Sequence, residues 1–262
     1  MMRSRIDTIT LDFPLDKCQK EIYLYNPLFD ISSNKRLPLL IMHDGHNLFF
    51  KEKSAFGETW KVKETLDSLY PKNKIIICGI PESSIKRYDL YSPFRLEAET
   101  NLISNEIEIN GGLGDLYLDW IMSTVIPHMK NNYPIDDQKI YMAGSSMGGL
   151  ISLYAGFKYP KTFKKIGAFS PAIWFCEKSI YEFIEKNFHS SLSIYLDVGT
   201  EETSNVSIKN FNYIYLGGAR KINNLLNRMK TKNLLYLEVI GGEHNEKSWA
   251  KRFKHFCNWL IE

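Results

Sequence analysis

Apolar runs long enough to cross a membrane are missing from this 262-residue sequence; a spanning helix needs about 20 consecutive apolar residues, and no window approaches that. The opening MMRSRIDTITLDF likewise lacks the sustained hydrophobic stretch of a secretory leader. Cysteine is sparse: Cys18, Cys78, Cys176 and Cys257 stand far apart with no CxxC pair, which argues against a zinc site or a compact disulfide framework. Free thiols in a reducing cytosol fit this usage, so a cytoplasmic protein with no membrane partner is expected. Neither sign of charge dominates. Thirty-three Lys and Arg against 30 Asp and Glu leave a net charge of +3, without a basic block or an arginine-rich helix, so nucleic acid is not expected as a partner. Linkers rich in Pro or Ser, internal repeats and low-complexity tracts are absent as well. With 44% hydrophobic and 24% charged residues the chain can bury a sizeable core, and a single domain over 1–262 is expected.

What is present is an ordered series of strand and helix patterns. Ile6 to Leu11 and Glu21 to Tyr25 alternate apolar with polar residues, the mark of antiparallel edge strands. Leu37 to Met42 and Ile75 to Cys78 are unbroken apolar runs, as parallel strands covered on both faces require, and the helical spacing of TWKVKETLDSLY between them completes a βαβ unit. A helix over Asp115 to Tyr133, a strand at Ile140 to Ala143, and strands at Phe163 to Ser170, Ser193 to Gly199 and Leu235 to Ile240 follow. Helices over Lys178 to Phe188, GGARKINNLLNRMK and Trp249 to Leu260 alternate with them. This order predicts an α/β fold, a mainly parallel twisted sheet with antiparallel N-terminal strands and helices on both faces.

The stretch KIYMAGSSMGGL at 139–150 organises the rest. A strand runs straight into Gly144-Ser145-Ser146-Met147-Gly148 and a helical pattern follows without a linker. Gly-x-Ser-x-Gly in that setting is a nucleophile elbow: the serine sits on a strained turn, and a side chain two residues either way would clash. The register selects Ser146, since centring on Ser145 would place Ala143 and Met147 at the glycine positions. Gly149 lets the helix pack closely on neighbouring strands.

A serine hydroxyl needs a base, and the base needs a carboxylate that fixes its tautomer. With a chain order of serine, acid, histidine, His189, His244 and His255 are eligible. His244 is preferred because GGEHNE follows the last strand at the sheet edge where Ser146 lies. Glu202, in the GTEE turn after the penultimate strand, is the preferred acid, with Asp197 its rival. Oxyanion donors are expected from the amide of Met147 and from Gly45 or His46 in HDGHNLF. A metal reading of His43, Asp44 and His46 is set aside because one short segment offers too few convergent ligands. Residues 83–113 form a long loop of little periodicity, expected to rim the site; Arg87, Tyr88, Tyr91 and Arg95, with Lys86 and Phe94, are its candidate substrate contacts, and Phe211, Tyr213 and Tyr215 a candidate opposite wall.

Seven motifs in order, HDGHNLF, KRYDLYSPF, GGLGDLYLDWI, AGSSMGGLISLYAGFKYP, FSPAIWF, LDVGTEE and GGEHNEKSW, together resemble the esterase D and enterochelin-esterase-like family of α/β-hydrolases over most of the chain. The resemblance implies an α/β-hydrolase fold and a carboxylic ester hydrolase without a cofactor, acting on a small-molecule ester such as a siderophore lactone, an acylated sugar, a feruloyl ester or an S-acyl thiol. By position it places the nucleophile on Ser146, the histidine on His244 and the acid on Glu202, where many relatives carry Asp. Acyl transfer on the same site, or a binding protein without catalysis, are the alternatives such a sequence leaves.

Overall fold

The computed structural model describes residues 4–27, 35–55, 57–69, 74–82, 86–97, 110–203 and 208–261. The alternating N-terminal segments become β1 (Ser4–Phe13) and β2 (Cys18–Pro27), an antiparallel pair in register from Ser4 opposite Pro27 to Phe13 opposite Cys18. The apolar runs become β3 (Leu37–His43) and β4 (Ile76–Ile80), parallel to each other and joined through helix α1 (Val62–Leu69). β2 lies antiparallel on β4. The chain then returns to the other side of β3 with β5 (Ile135–Ser145), and β6 (Phe163–Phe169), β7 (Ser193–Glu201) and β8 (Asn233–Glu243) add outward in parallel. The eight strands lie in the order β1-β2-β4-β3-β5-β6-β7-β8.

The unbroken apolar runs divide between the two faces as period-two geometry demands. Leu39, Ile41, Ile76, Cys78, Ile140 and Met142 face one cluster, while Leu40, Met42, Ile75, Ile77, Tyr141 and Ala143 face the other. The first is covered by α3 (Gly114–Trp120), α4 (Ile126–Asn132), α5 (Met147–Lys158), α6 (Glu177–Lys186) and α7 (Phe211–Arg228). The second is covered by α1 and by α8 (Glu246–Ile261) through Trp249, Phe253, Phe256 and Trp259. A short helix, α2 (Arg87–Leu90), lies within the long loop, of which 83–85 and 98–109 fall outside the described residues.

Several elements differ from their sequence patterns, among them β7 and β8, which run on to Glu201 and Glu243 through residues read as the GTEE turn and the GGEHNE loop. The helix predicted over Asp115 to Tyr133 is interrupted by a π turn at Ile121–Val125, where the Ile126 amide donates back to Ile121. That local widening sits just before Pro127, whose ring would clash with an uninterrupted α turn and which offers no N–H. α7 begins at Phe211 rather than Gly217 because buried Phe211, Tyr215 and Leu216 extend the apolar stripe of Ala219 and Ile222. α8 begins at Glu246 rather than Trp249. Among the described residues no helix is long and apolar enough to cross a membrane.

Candidate active site

β5 ends at Ser145, α5 begins at Met147, and Ser146 between them has φ 55° and ψ −122°. Non-glycine residues avoid this region, and holding one there costs about 1–3 kcal/mol. The neighbouring glycines make the turn possible: a Cβ on Gly144 would lie 2.8–3.0 Å from the backbone of Gly148, and one on Gly148 would lie 3.1 Å from His43 Cβ. A Cβ on Gly149 would crowd the Gly144 and Phe169 carbonyls and Pro171 Cα, each at 3.2 Å. The Ser146 backbone is also tied to the segment after β6, since its N–H donates to the Phe169 carbonyl at 2.9 Å and its carbonyl accepts from Ala172 at 3.0 Å.

At the carboxyl end of β7 and β8, His244 Nδ1 lies 2.6 Å from Glu202 Oε2. A carboxylate only accepts, so Nδ1 carries the proton and Nε2 is left with its lone pair. The ring is held by Tyr215, 4.4 Å between centroids, and by Trp249 at 5.0 Å edge to face. Glu202 Oε1 accepts from the Gly199 amide at 2.7 Å and from the Ser170 hydroxyl. Burial pushes the Glu202 carboxyl up, but the hydrogen bond and charge of His244, the Arg252 guanidinium and Ser170 together outweigh it and hold it below its ordinary value. Asp197, the rival acid, faces elsewhere: its carboxylate accepts from Arg252 Nη1 at 2.8 Å and from the Tyr195 hydroxyl at 2.9 Å. Of the other histidines, His189 contacts Ser191 and the Gly156 carbonyl, and His255 packs edge-on against Tyr195.

The loop after β3 turns at Asp44, which adopts a left-handed conformation and is followed by a 3₁₀ turn over Gly45–Asn47. Gly45 is required by close approach, for a Cβ there would overlap the Gly79 carbonyl. The Asp44 carboxylate receives Arg87 through two hydrogen bonds, Nε and Nη2 each at 2.7 Å, and its amide donates to the Tyr91 hydroxyl at 3.1 Å. His43 Nδ1 contacts the Tyr117 hydroxyl at 2.9 Å, and burial holds the ring neutral, its pKa lowered to about 3. Asp44 and His43 Nδ1 are therefore engaged by protein groups. Among the described residues no group of three His, Cys, Asp or Glu side chains is arranged to hold a metal ion.

The loop residues divide. Arg87 is committed to Asp44, and Tyr91 is fully buried beneath the turn. Tyr88 is half-buried and stacks on Phe175 at 6.1 Å, while Arg95 is exposed and its backbone bridges Gly111. Lys86 pairs with Asp16, and Phe94 packs on Tyr154 and Phe183. On the α7 side Phe211 and Tyr215 are buried and Tyr213 is exposed. Sequence reasoning passed over Ser170 and Arg252, both of which touch Glu202. Each left a signal. Ser170 directly follows β6 at the sheet edge that carries Ser146, and Arg252 interrupts the apolar stripe of Trp249, Phe253, Phe256 and Trp259 on α8.

Comparison with known proteins adds sequence relatives to this geometry. A family described as Putative esterase matches residues 16–260. The uncharacterized protein YbbA of Bacillus subtilis is 27% identical over 246 residues, covering 90% of this chain and 90% of its own length. The siderophore triacetylfusarinine C esterase of Aspergillus fumigatus is 27% identical over 139 residues, or 53% of this chain and 45% of that protein. In fold, the siderophore hydrolase EstA from Aspergillus nidulans superposes with a TM-score of 0.73 over 97% of this chain and 94% of its own, at 19% identity.

Proposed function

Because the chain belongs to the Putative esterase family of α/β-hydrolases, enzymes of carboxylesterase type, we propose that it hydrolyses small carboxylic esters through Ser146, His244 and Glu202 by way of an acyl-enzyme. The observation that carries this reading is the His244–Glu202 pair at 2.6 Å, linked through Ser170 to the segment that anchors the strained backbone of Ser146. With its Nδ1 proton on Glu202, His244 has the Nε2 lone pair a general base needs, and the carboxylate stabilises the imidazolium formed on proton transfer. Ser146 Oγ attacks the ester carbonyl as His244 takes its proton. The oxyanion is met by the Met147 amide, at the positive end of α5, and by the amide of Gly45 or His46 in the turn after Asp44. His244 returns the proton to the leaving alkoxide, water repeats the sequence on the acyl-enzyme, and the acid departs.

Two of the proteins above are named for a siderophore, one as its esterase and one as its hydrolase, and a siderophore-lactone ester, or an acetyl, feruloyl or thioester compound, is the proposed substrate class. Arg87, already neutralised by Asp44, adds little net charge to the rim. Tyr88, half-buried, and Arg95, exposed, are the loop residues this reading keeps as candidate contacts for an acyl or alcohol group.

Turnover of p-nitrophenyl acetate tests the reading. Ser146→Ala is expected to lower kcat by a factor on the order of 10³ or more and to abolish fluorophosphonate labelling. Wild-type turnover by the variant would overturn it.

A further inference from the structure

Two carboxylates and one guanidinium are buried together behind His244: Asp197 and Glu202 have no exposed surface and Arg252 is 5% exposed. Charges in such a place persist only when each is paired and hydrogen-bonded. Arg252 could have closed a two-pronged pair on Asp197, which would satisfy both. It does not. Nη1 donates to Asp197 Oδ1 at 2.8 Å, while Nη2 turns away to Ser170 Oγ at 3.3 Å and Glu202 Oε1 at 3.5 Å. The second Asp197 oxygen is taken by the Tyr195 hydroxyl, and Arg252 Nε reaches the Ser248 carbonyl at 3.4 Å.

Ser170 is the joint in this arrangement. It holds φ 44°, a conformation a serine adopts only where its surroundings over-determine it. Its amide donates to the Asp197 carbonyl at 2.8 Å, and Trp249 Nε1 donates to its Oγ at 3.0 Å. A hydroxyl accepts two hydrogen bonds and donates one. With Trp249 and Arg252 both donating to Oγ, the Ser170 proton has a single direction left, onto Glu202 Oε1. Oε1 then has Gly199, Ser170 and Arg252 around it, and Oε2 has His244. A proton arriving at Glu202 would have to sit on Oε2, facing His244 Nδ1, and would drive the imidazole to the tautomer that cannot accept a proton from serine.

We propose that Arg252 is a positioning residue for hydrolysis: shared between Asp197 and the Ser170–Glu202 pair, it keeps Glu202 ionised with Oε2 as the face offered to His244. This rests on the serine-esterase reading above. The charged and titratable groups around Glu202 are Asp197 and Tyr195 from β7, His244 before α8 and Arg252 from α8. Loss of the guanidinium favours protonation of Glu202, because a nearby cation opposes it.

The experiment compares wild type, Ser146→Ala, Arg252→Lys and the double variant Arg252→Met with Asp197→Asn, which removes the ion pair as a unit while leaving Tyr195 an acceptor. For the double variant, kcat is expected to fall about 10- to 100-fold, less than loss of the general base itself, with KM within about 2-fold. The acidic limb of its kcat profile is expected to move little, because the Asp197 charge leaves with the guanidinium and the two act on Glu202 with opposite sign, and Arg252→Lys is expected to keep part of the wild-type kcat. A folded double variant with wild-type kcat overturns the proposal. Should that variant not fold, Ser170→Ala is assayed in the same way, and an unchanged kcat there overturns it equally. Hydrolysis that does not depend on Ser146 defeats the esterase reading itself and the role of Arg252 with it; hydrolysis that depends on Ser146 but not on Arg252 defeats only the latter.

Discussion

Two side chains near the turn after β3 and the start of α8 illustrate how burial, more than identity, sets the behaviour of a titratable residue. Glu246 is 3% exposed, and its Oε1 accepts a single side-chain hydrogen bond from Asn47 at 3.0 Å, tying the turn after β3 to the first residue of α8. Burial pushes its carboxyl up to about 7 from 4.5. A carboxyl with a raised native pKa is neutral in both states below pH 4.5, loses native stability as pH rises between the two values, and carries the full cost above about 7. Glu246→Gln keeps the acceptor for Asn47 and removes that cost. The variant is expected to match wild type near pH 4.5 and to exceed it at pH 8 by at most about 3 kcal/mol, read from urea midpoints at the two pH values. An equal difference at both would show that the carboxyl is not the source. His43 shows the same physics with the opposite sign, since burial lowers its pKa to about 3 and removes it from titration over the range where the enzyme would work.

At the scale of elements, the candidate site depends on how closely the ends of β7 and β8 approach. Gly199 and Gly242 face each other there, and a Cβ on Gly199 would sit on the Gly242 carbonyl and 2.8 Å from Glu202 Oε1. Backbone cannot yield as a side chain can. Gly199→Ala is therefore expected to push the Glu202 and His244 loops apart, lowering kcat by about 10-fold or more while far-UV circular dichroism stays close to wild type. Retention of full turnover would mean that the two loops adjust without separating the pair. The elbow follows the same logic, because Gly144, Gly148 and Gly149 are each packed against backbone or a buried side chain rather than open space. The π turn before Pro127 is the reverse case, in which the helix widens around a residue it cannot accommodate in regular geometry.

For the whole molecule, the sheet separates two apolar clusters that share every central strand. Trp120 and Trp174 belong to one face, and Trp60, Trp249 and Trp259 to the other. Side chains alternate along β3, β4 and β5, so neither face can lose its packing without exposing strands that also hold the other. Urea unfolding followed by tryptophan fluorescence and by far-UV circular dichroism is expected to give coincident midpoints, as one cooperative unit requires. A fluorescence transition well ahead of the loss of secondary structure would divide the chain into separate units.

How much of this was legible in the sequence follows from the range of each interaction. The elbow at Ser146, the two-faced strands and the antiparallel β1–β2 pair depend on side-chain period and glycine placement within about ten residues, and the order of residues carries that information directly. The position of His244 at the carboxyl edge of the sheet was legible because a loop following a strand must emerge there. The pairing of His244 with Glu202 rather than Asp197 depended on the tertiary structure, because the strand carries one carboxyl toward α8 and the turn beyond it carries the other toward the histidine. Arg87 reads in sequence as a candidate substrate contact on the long loop; only the fold brings it to Asp44. Ser170 and Arg252 are joined to Glu202 by contacts between residues distant in the chain, and no local pattern encodes a meeting of three segments. Local backbone geometry is written in neighbouring residues, whereas the partner of a buried charge is decided by where the remaining strands and helices close over it.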